Sequence, residues 1–306
     1  MLRQRLMAAA LGLPMLFLLL WLNWFLRSRG NPDDLPMLFI VLLIAGASGW
    51  EVSQVLRQRY PRAAPRAGIY AALIVPFIVH AVTQSSSQGI PSLGMCIDSL
   101  GAVAVTMGLF LSLYTDIELR KGQGIRENVI VLLSGLYLGG TLSCLIFIGR
   151  TPLHEIGLLF IFVLVFGLDT AAYFGGKHFH GPPLAPKISP KKTIAGSLCG
   201  LLAAILLAFA FKVIPAGVAA GDAASPIWWN LGAWVPSVGL LWLGVSVGIA
   251  GQVGDLIESA FKRWGGVKDS GATIPGHGGF LDRFDSLFLA APVCYLLLML
   301  YLKVAG

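Results

Sequence analysis

Charge is scarce in this sequence. Of its 306 residues only 12% are Asp, Glu, Lys or Arg, about half the share carried by water-soluble domains. That scarcity excludes an ordinary soluble globular domain and requires apolar surface to be buried against something other than the chain itself. Cysteine is scarce too. The four present, Cys96, Cys144, Cys199 and Cys294, lie in or beside apolar runs with no CxxC spacing. No disulfide framework or zinc site is therefore suggested, and small apolar packing residues are the expected reading. There is no internal repeat and no low-complexity tract. No basic stretch is interleaved with base-stacking aromatics on a polar surface, so the net charge of +7 does not point to nucleic acid.

What the chain has in abundance is hydrocarbon: 56% of residues are hydrophobic and the mean hydropathy is +0.78. A membrane span needs roughly 20 apolar residues, and nine such runs are legible, at about 7–26, 36–50, 68–86, 91–114, 128–149, 155–176, 194–213, 233–257 and 284–302. The second is short and can extend past Trp50. The first follows two arginines but runs too long for a signal peptide and lacks a small-residue cleavage site. Backbone groups in hydrocarbon must bond within their own segment, so every span is expected to be a helix. The expected fold is an all-α, polytopic integral membrane protein forming one membrane domain. Residues 1–115 supply N-terminal helices, and residues 116–306 carry most of the chemistry. Grouping the N-terminus with the even-numbered loops collects 17 of the 22 basic residues, which sets the N-terminus and those loops in the cytoplasm. The basic excess also suits attraction to anionic lipid in the bilayer.

Against this background the few acids stand out. The eighth span ends GQVGDLIESAFKR, with Asp255 and Glu258 near its cytoplasmic end, and the ninth begins with Asp282 and Asp285. On a helix the last two lie about 5–6 Å apart, and carboxylates that close repel unless a cation or proton intervenes. Mg²⁺ is commonly held by one or two carboxylates together with substrate phosphates. Capping offers a plainer account: Asp282 can cap the ninth helix and Asp285 can favour its positive end. Asp255, Glu258, Lys268 and Asp269 in the same hairpin shift the balance toward a site. Asp169 lies eight residues before Lys177 in the sixth span, about 12 Å into the membrane. A carboxylate there costs about 2.5–3.5 kcal/mol and is functional by default, with a satisfied interhelical hydrogen bond as the alternative. Tyr173, one turn on, is its expected partner.

Two further segments suit phosphate. KHFHGPPLAPKISPKKT carries Lys177, Lys187, Lys191 and Lys192. Clustered lysines usually meet lipid headgroups, but here Ser189 to Thr193 leads into the seventh helix, whose N-terminus with Lys191 and Lys192 makes an anion site. His178 and His180 have the spacing of a metal pair but no third ligand. In Pro275-Gly276-His277-Gly278-Gly279, glycines let backbone amides approach an anion closely, although an ordinary turn has the same composition.

The stretch SAFKRWGGVKDSGATIPGHGGFLDRFDS, Ser259 to Ser286, resembles the signature of the phosphatidate cytidylyltransferase family. GDLIES, DTAAYFGGK and ISPKKT are similar to further segments of that family, and the likeness is sharp from about Leu168 onward. The resemblance implies transfer of CMP from CTP to phosphatidic acid, giving CDP-diacylglycerol and pyrophosphate with Mg²⁺, and two cations in one site. It implies that Asp255, Asp282 and Asp285 face cations and that Lys191, Lys192, Lys262, Arg263, Lys268 and Arg283 face phosphates. His277, Gly278 and Gly279 would shape the nucleotide site, and Ser189 and Thr193 would contribute hydroxyls. Asp169, with Glu258 and Asp269, would support the pocket. A homodimer, with the active site facing the cytoplasm from the inner membrane, is implied as well. The chain departs from the pattern at Ile194-Ala195-Gly196, where the family usually has a Glu or Gln before the glycine. It departs again at Phe179-His180-Gly181-Pro182-Pro183, where a basic residue is usual.

Other functions leave different marks. A CTP-dependent lipid kinase of the polyprenol or phytol type would move the γ-phosphoryl, and the complete signature weighs against it. A CDP-alcohol phosphotransferase needs Asp-Gly-x-x-Ala-Arg, which is absent. A transporter would use Asp169 and Asp255 as an ion path and consume no CTP. A catalytically silent scaffold, motivated by Ala195, would have lost Mg²⁺ or CTP binding.

Overall fold

The computed structural model describes residues 18–26, 34–60, 65–85, 125–151, 153–219, 235–271 and 278–305, with Pro14 and Arg29 besides. Within them the protein is helical apart from one small hairpin. The helices are α1 (Leu35–Arg59), α2 (Pro65–Ser85), α3 (Ile125–Gly149), α4 (His154–Phe179), α5 (Ile194–Ala219), α6 (Ser237–Trp264) and α7 (Leu281–Ala305). Seven helices among the described residues are long and apolar enough to cross a membrane. The protein is an all-α membrane protein. Residues 18–26 are also helical and form the end of the first expected span, whereas the fourth, at 91–114, lies outside the described residues.

α1 and α6 run well past their apolar runs. α1 continues past Trp50 to Arg59, because Glu51 to Arg59 contains neither Gly nor Pro and several good helix formers. α6 continues to Trp264 for the same reason and ends at Gly265-Gly266, where Gly266 has φ +77°. Between α4 and α5 the expected stiff connection is instead an antiparallel hairpin, β1 (Pro183–Ala185) with β2 (Ser189–Thr193), paired Pro183 to Thr193 and Ala185 to Ser189. Proline tolerates a strand edge because it has no N–H to leave unpaired. Ile194 N–H closes the hairpin on the Pro182 carbonyl at 3.0 Å.

The chain divides into two compact units. One comprises residues 1–146 with 261–284. In it α1 packs on α2, and α2 meets α3 through small residues: a Cβ on Gly135 or Gly139 would collide with the backbone of Gly68 or Ala72. Small side chains let membrane helices approach closely, and that approach replaces the hydrophobic drive which lipid removes. The other unit comprises residues 147–260 with 285–306. There α4 and α5 run antiparallel with Gly176 beside Gly196 and Leu168 beside Gly200. α5 meets α6 at Ile205 and Gly244, and α6 meets α7 at Gly254 and Ser286. The α4–α5 and α6–α7 contacts lie where one helix ends and the next begins, and Lys192, Asp255, Glu258 and Asp285 lie near those ends.

Candidate active site

In the second unit, Asp255 and Glu258 on α6 and Asp285 on α7 bring three carboxylate oxygens within 4.8 Å of one another. Gly254 makes this possible: a Cβ there would lie 2.8 Å from the Asp285 carbonyl, so the two helices touch at this level. Glu258 is 6% and Asp285 8% exposed. Three oxygen donors, no sulfur and no imidazole form a set suited to a hard divalent cation. Of the three acids expected at a cation, Asp255 and Asp285 are therefore together, and Glu258, expected only as support, is the third.

The surrounding side chains extend this centre. Lys192, from β2, forms an ion pair with Asp255. The Ser286 hydroxyl donates to Asp169 at 3.3 Å and lies 3.3 Å from Asp285, so the intramembrane acid is joined to the cluster through a serine. Tyr173, the expected partner of Asp169, is 63% exposed and packs edge-on against Phe174. Thr193 caps α5, its Oγ1 accepting from Gly196 N–H at 3.1 Å. Ser189 is half-buried and Lys191 exposed on the same strand. His178 belongs to the last turn of α4, and His180 Nδ1 lies 3.2 Å from the His178 carbonyl, an arrangement that turns the chain into the hairpin. On the next turn of α5, Ser197 bonds Gln252, whose amide nitrogen donates to the Ser197 carbonyl at 2.9 Å.

The first unit holds the glycine-rich loop that joins α6 to α7. Asp282 accepts from Lys262 Nζ at 2.6 Å, from Gly279 N–H at 2.8 Å and from Ser270 N–H at 3.1 Å. Its carboxylate thus ties both stems of the loop together, in addition to any ligand it takes. Gly278, at φ +82°, adopts a backbone that an L side chain rarely enters, and Gly279 is buried. Arg263 donates to the Val267 carbonyl at 3.1 Å. Arg263, Lys268, Asp269 and Arg283 are exposed. His277 lies outside the described residues.

Glu51 escaped the reading of the sequence. Only 2% exposed on α1, its carboxylate accepts from Ser270 Oγ at 2.9 Å, Phe280 N–H at 2.9 Å and Leu281 N–H at 2.8 Å. The last two amides belong to the start of α7, where no intrahelical acceptor exists. A lone acid at the end of an apolar run was the available signal.

The model of the cytidylyltransferase family matches residues 3–301. A phosphatidate cytidylyltransferase of Bacillus subtilis (strain 168) is 36% identical over 208 residues, covering 67% of this chain and 71% of the relative. One from Rickettsia bellii is 38% identical over 177 residues, 58% of this chain and 72% of the relative. One from Haemophilus influenzae is 44% identical over 142 residues, 46% of this chain and 45% of the relative. The chain belongs to the cytidylyltransferase family.

Proposed function

We propose that this member of the cytidylyltransferase family is a phosphatidate cytidylyltransferase, which transfers CMP from CTP to phosphatidic acid and releases pyrophosphate. The observation that carries the reading is the convergence of Asp255, Glu258 and Asp285 beside Lys192, in a chain of this family. A phosphate oxygen of phosphatidic acid attacks the α-phosphorus of CTP, the bond from that phosphorus to the β-phosphate bridging oxygen breaks, and pyrophosphate carries away the electron pair. Such a transfer needs alignment and charge neutralisation more than covalent chemistry.

Asp255 and Asp285, with Glu258 and Asp282, would hold Mg²⁺ and a second cation, which supply Lewis-acid neutralisation of the phosphates. Lys191 and Lys192 bind phosphate from the hairpin side, with hydroxyls of Ser189 and Thr193. Lys262, Arg263, Lys268 and Arg283 do so from the loop side. His277, Gly278 and Gly279 shape the nucleotide site. Asp169 holds Ser286 and through it Asp285. The topology that suits this chemistry has nine spans, the N-terminus and active site on the cytoplasmic side, and the chain in the inner membrane as a homodimer. Residues 116–306 supply the catalytic region on a base of helices from residues 1–115.

Purified protein in detergent, given phosphatidic acid, Mg²⁺ and α-labelled CTP beside an Asp282→Asn variant, tests the reading. Label is expected to enter the lipid with the wild type and to be lost with the variant. Transfer from γ-labelled CTP alone would move the assignment to a lipid kinase. Transfer from neither would leave a scaffold or transporter.

A further inference from the structure

We infer that Glu51 is a positioning residue for CTP: it acts through Ser270, Phe280 and Leu281, setting the stem that carries Gly278 and Gly279. The inference rests on the cytidylyltransferase reading. Its basis is a division of labour between two carboxylates. Asp282 takes the N–H groups of Ser270 and Gly279, at the two ends of the loop. Glu51 takes the Ser270 hydroxyl at one end and the Phe280 and Leu281 N–H groups at the other. Without Glu51, the pairing of Ser270 with the start of α7 would rest more heavily on Asp282, a side chain that the reading also gives to a cation.

The fit around Glu51 is close. A Cβ on Gly279 would collide with Glu51 Oε2 and Ser270 Oγ, and one on Gly271 would lie 2.9 Å from Glu51 Oε1. All of Glu51's named donors are N–H or O–H groups. A Gln in its place turns one acceptor into an NH₂ that faces other donors, and an unmatched buried donor is costly. The charge is needed as well as the shape.

The test is steady-state kinetics on the full chain in detergent, with Glu51→Gln, Glu51→Asp, Glu51→Ala and Gly279→Ala, and the double variant Glu51→Ala with Gly279→Ala. Glu51→Gln is expected to raise KM for CTP by about 10-fold or more while kcat and KM for phosphatidic acid move less than about 3-fold. Glu51→Asp, which keeps the charge but shortens the reach, is expected to recover part of the loss. It also carries the same KM-against-kcat comparison if Glu51→Gln does not fold. Gly279→Ala collides with Glu51, so Glu51→Ala should cost much less in that background than alone, a coupling that independent sites do not show. An active wild type whose Glu51→Gln variant keeps its KM for CTP, or strictly additive effects in the pair, would overturn the role of Glu51 alone. A wild type that transfers no label overturns the function reading instead, and the role of Glu51 with it.

Discussion

Glu51 and Asp282 in one unit, and Asp255, Glu258 and Asp285 in the other, are carboxylates in opposite company. The first two face backbone N–H groups, a serine hydroxyl and a lysine. The last three lie close to one another, with Lys192 on Asp255 and Ser286 on Asp285. Two unit charges about 4.8 Å apart repel by roughly 3.5 kcal/mol at an effective dielectric near 20, whereas hydrogen bonds to a charged group contribute about 1.5–3 kcal/mol each. The first two are held mainly by hydrogen-bond donors, whereas the other three concentrate negative charge. A carboxylate's neighbours therefore say more about its task than its burial does, since Glu51 and Asp285 are both buried.

The comparison can be broken most severely at Asp285. Asp285→Asn is expected to lower transfer of α-label into lipid by on the order of 10³-fold, with the folded protein retained because the neutral amide relieves repulsion. A chelator should abolish activity and Mg²⁺ restore it. In thermal unfolding, Mg²⁺ at about 100 times its Kd should add about 2.7 kcal/mol of stability. That gain should vanish in Asp285→Asn and persist in Glu51→Gln, and its persistence in Asp285→Asn would dissolve the distinction drawn here. Lys192→Ala removes an ammonium paired with Asp255 and should raise KM for CTP by roughly 10-fold. Ser286→Ala, which unlinks Asp169 from the cluster, should cost the least. Loss of one hydrogen bond worth about 0.5–1.5 kcal/mol corresponds to a 2- to 10-fold drop in kcat/KM.

The helices were legible because apolar runs of span length leave the backbone no other solution. The acids of α6 and α7 were legible because they interrupt such runs. What escaped was set by packing across long sequence separations. Glu51 meets partners 219 to 230 residues away, and nothing near it in sequence signals a glycine loop. The partner of Asp169 proved to be Ser286 because the facing of α4 follows its glycine contacts with α5, which sequence spacing does not encode. The hairpin at 183–193 was hidden by prolines, which usually argue against strands. Thr193, marked as a phosphate hydroxyl, also serves as a helix cap, a dual use that composition cannot separate.

The bond between Glu51 and Leu281 also has a history in time. At a synthesis rate of about 5–20 residues per second, roughly 10–50 s pass between the emergence of residue 51 and that of residue 281. Throughout that interval α1 carries an acid whose final amide partners have not yet been made.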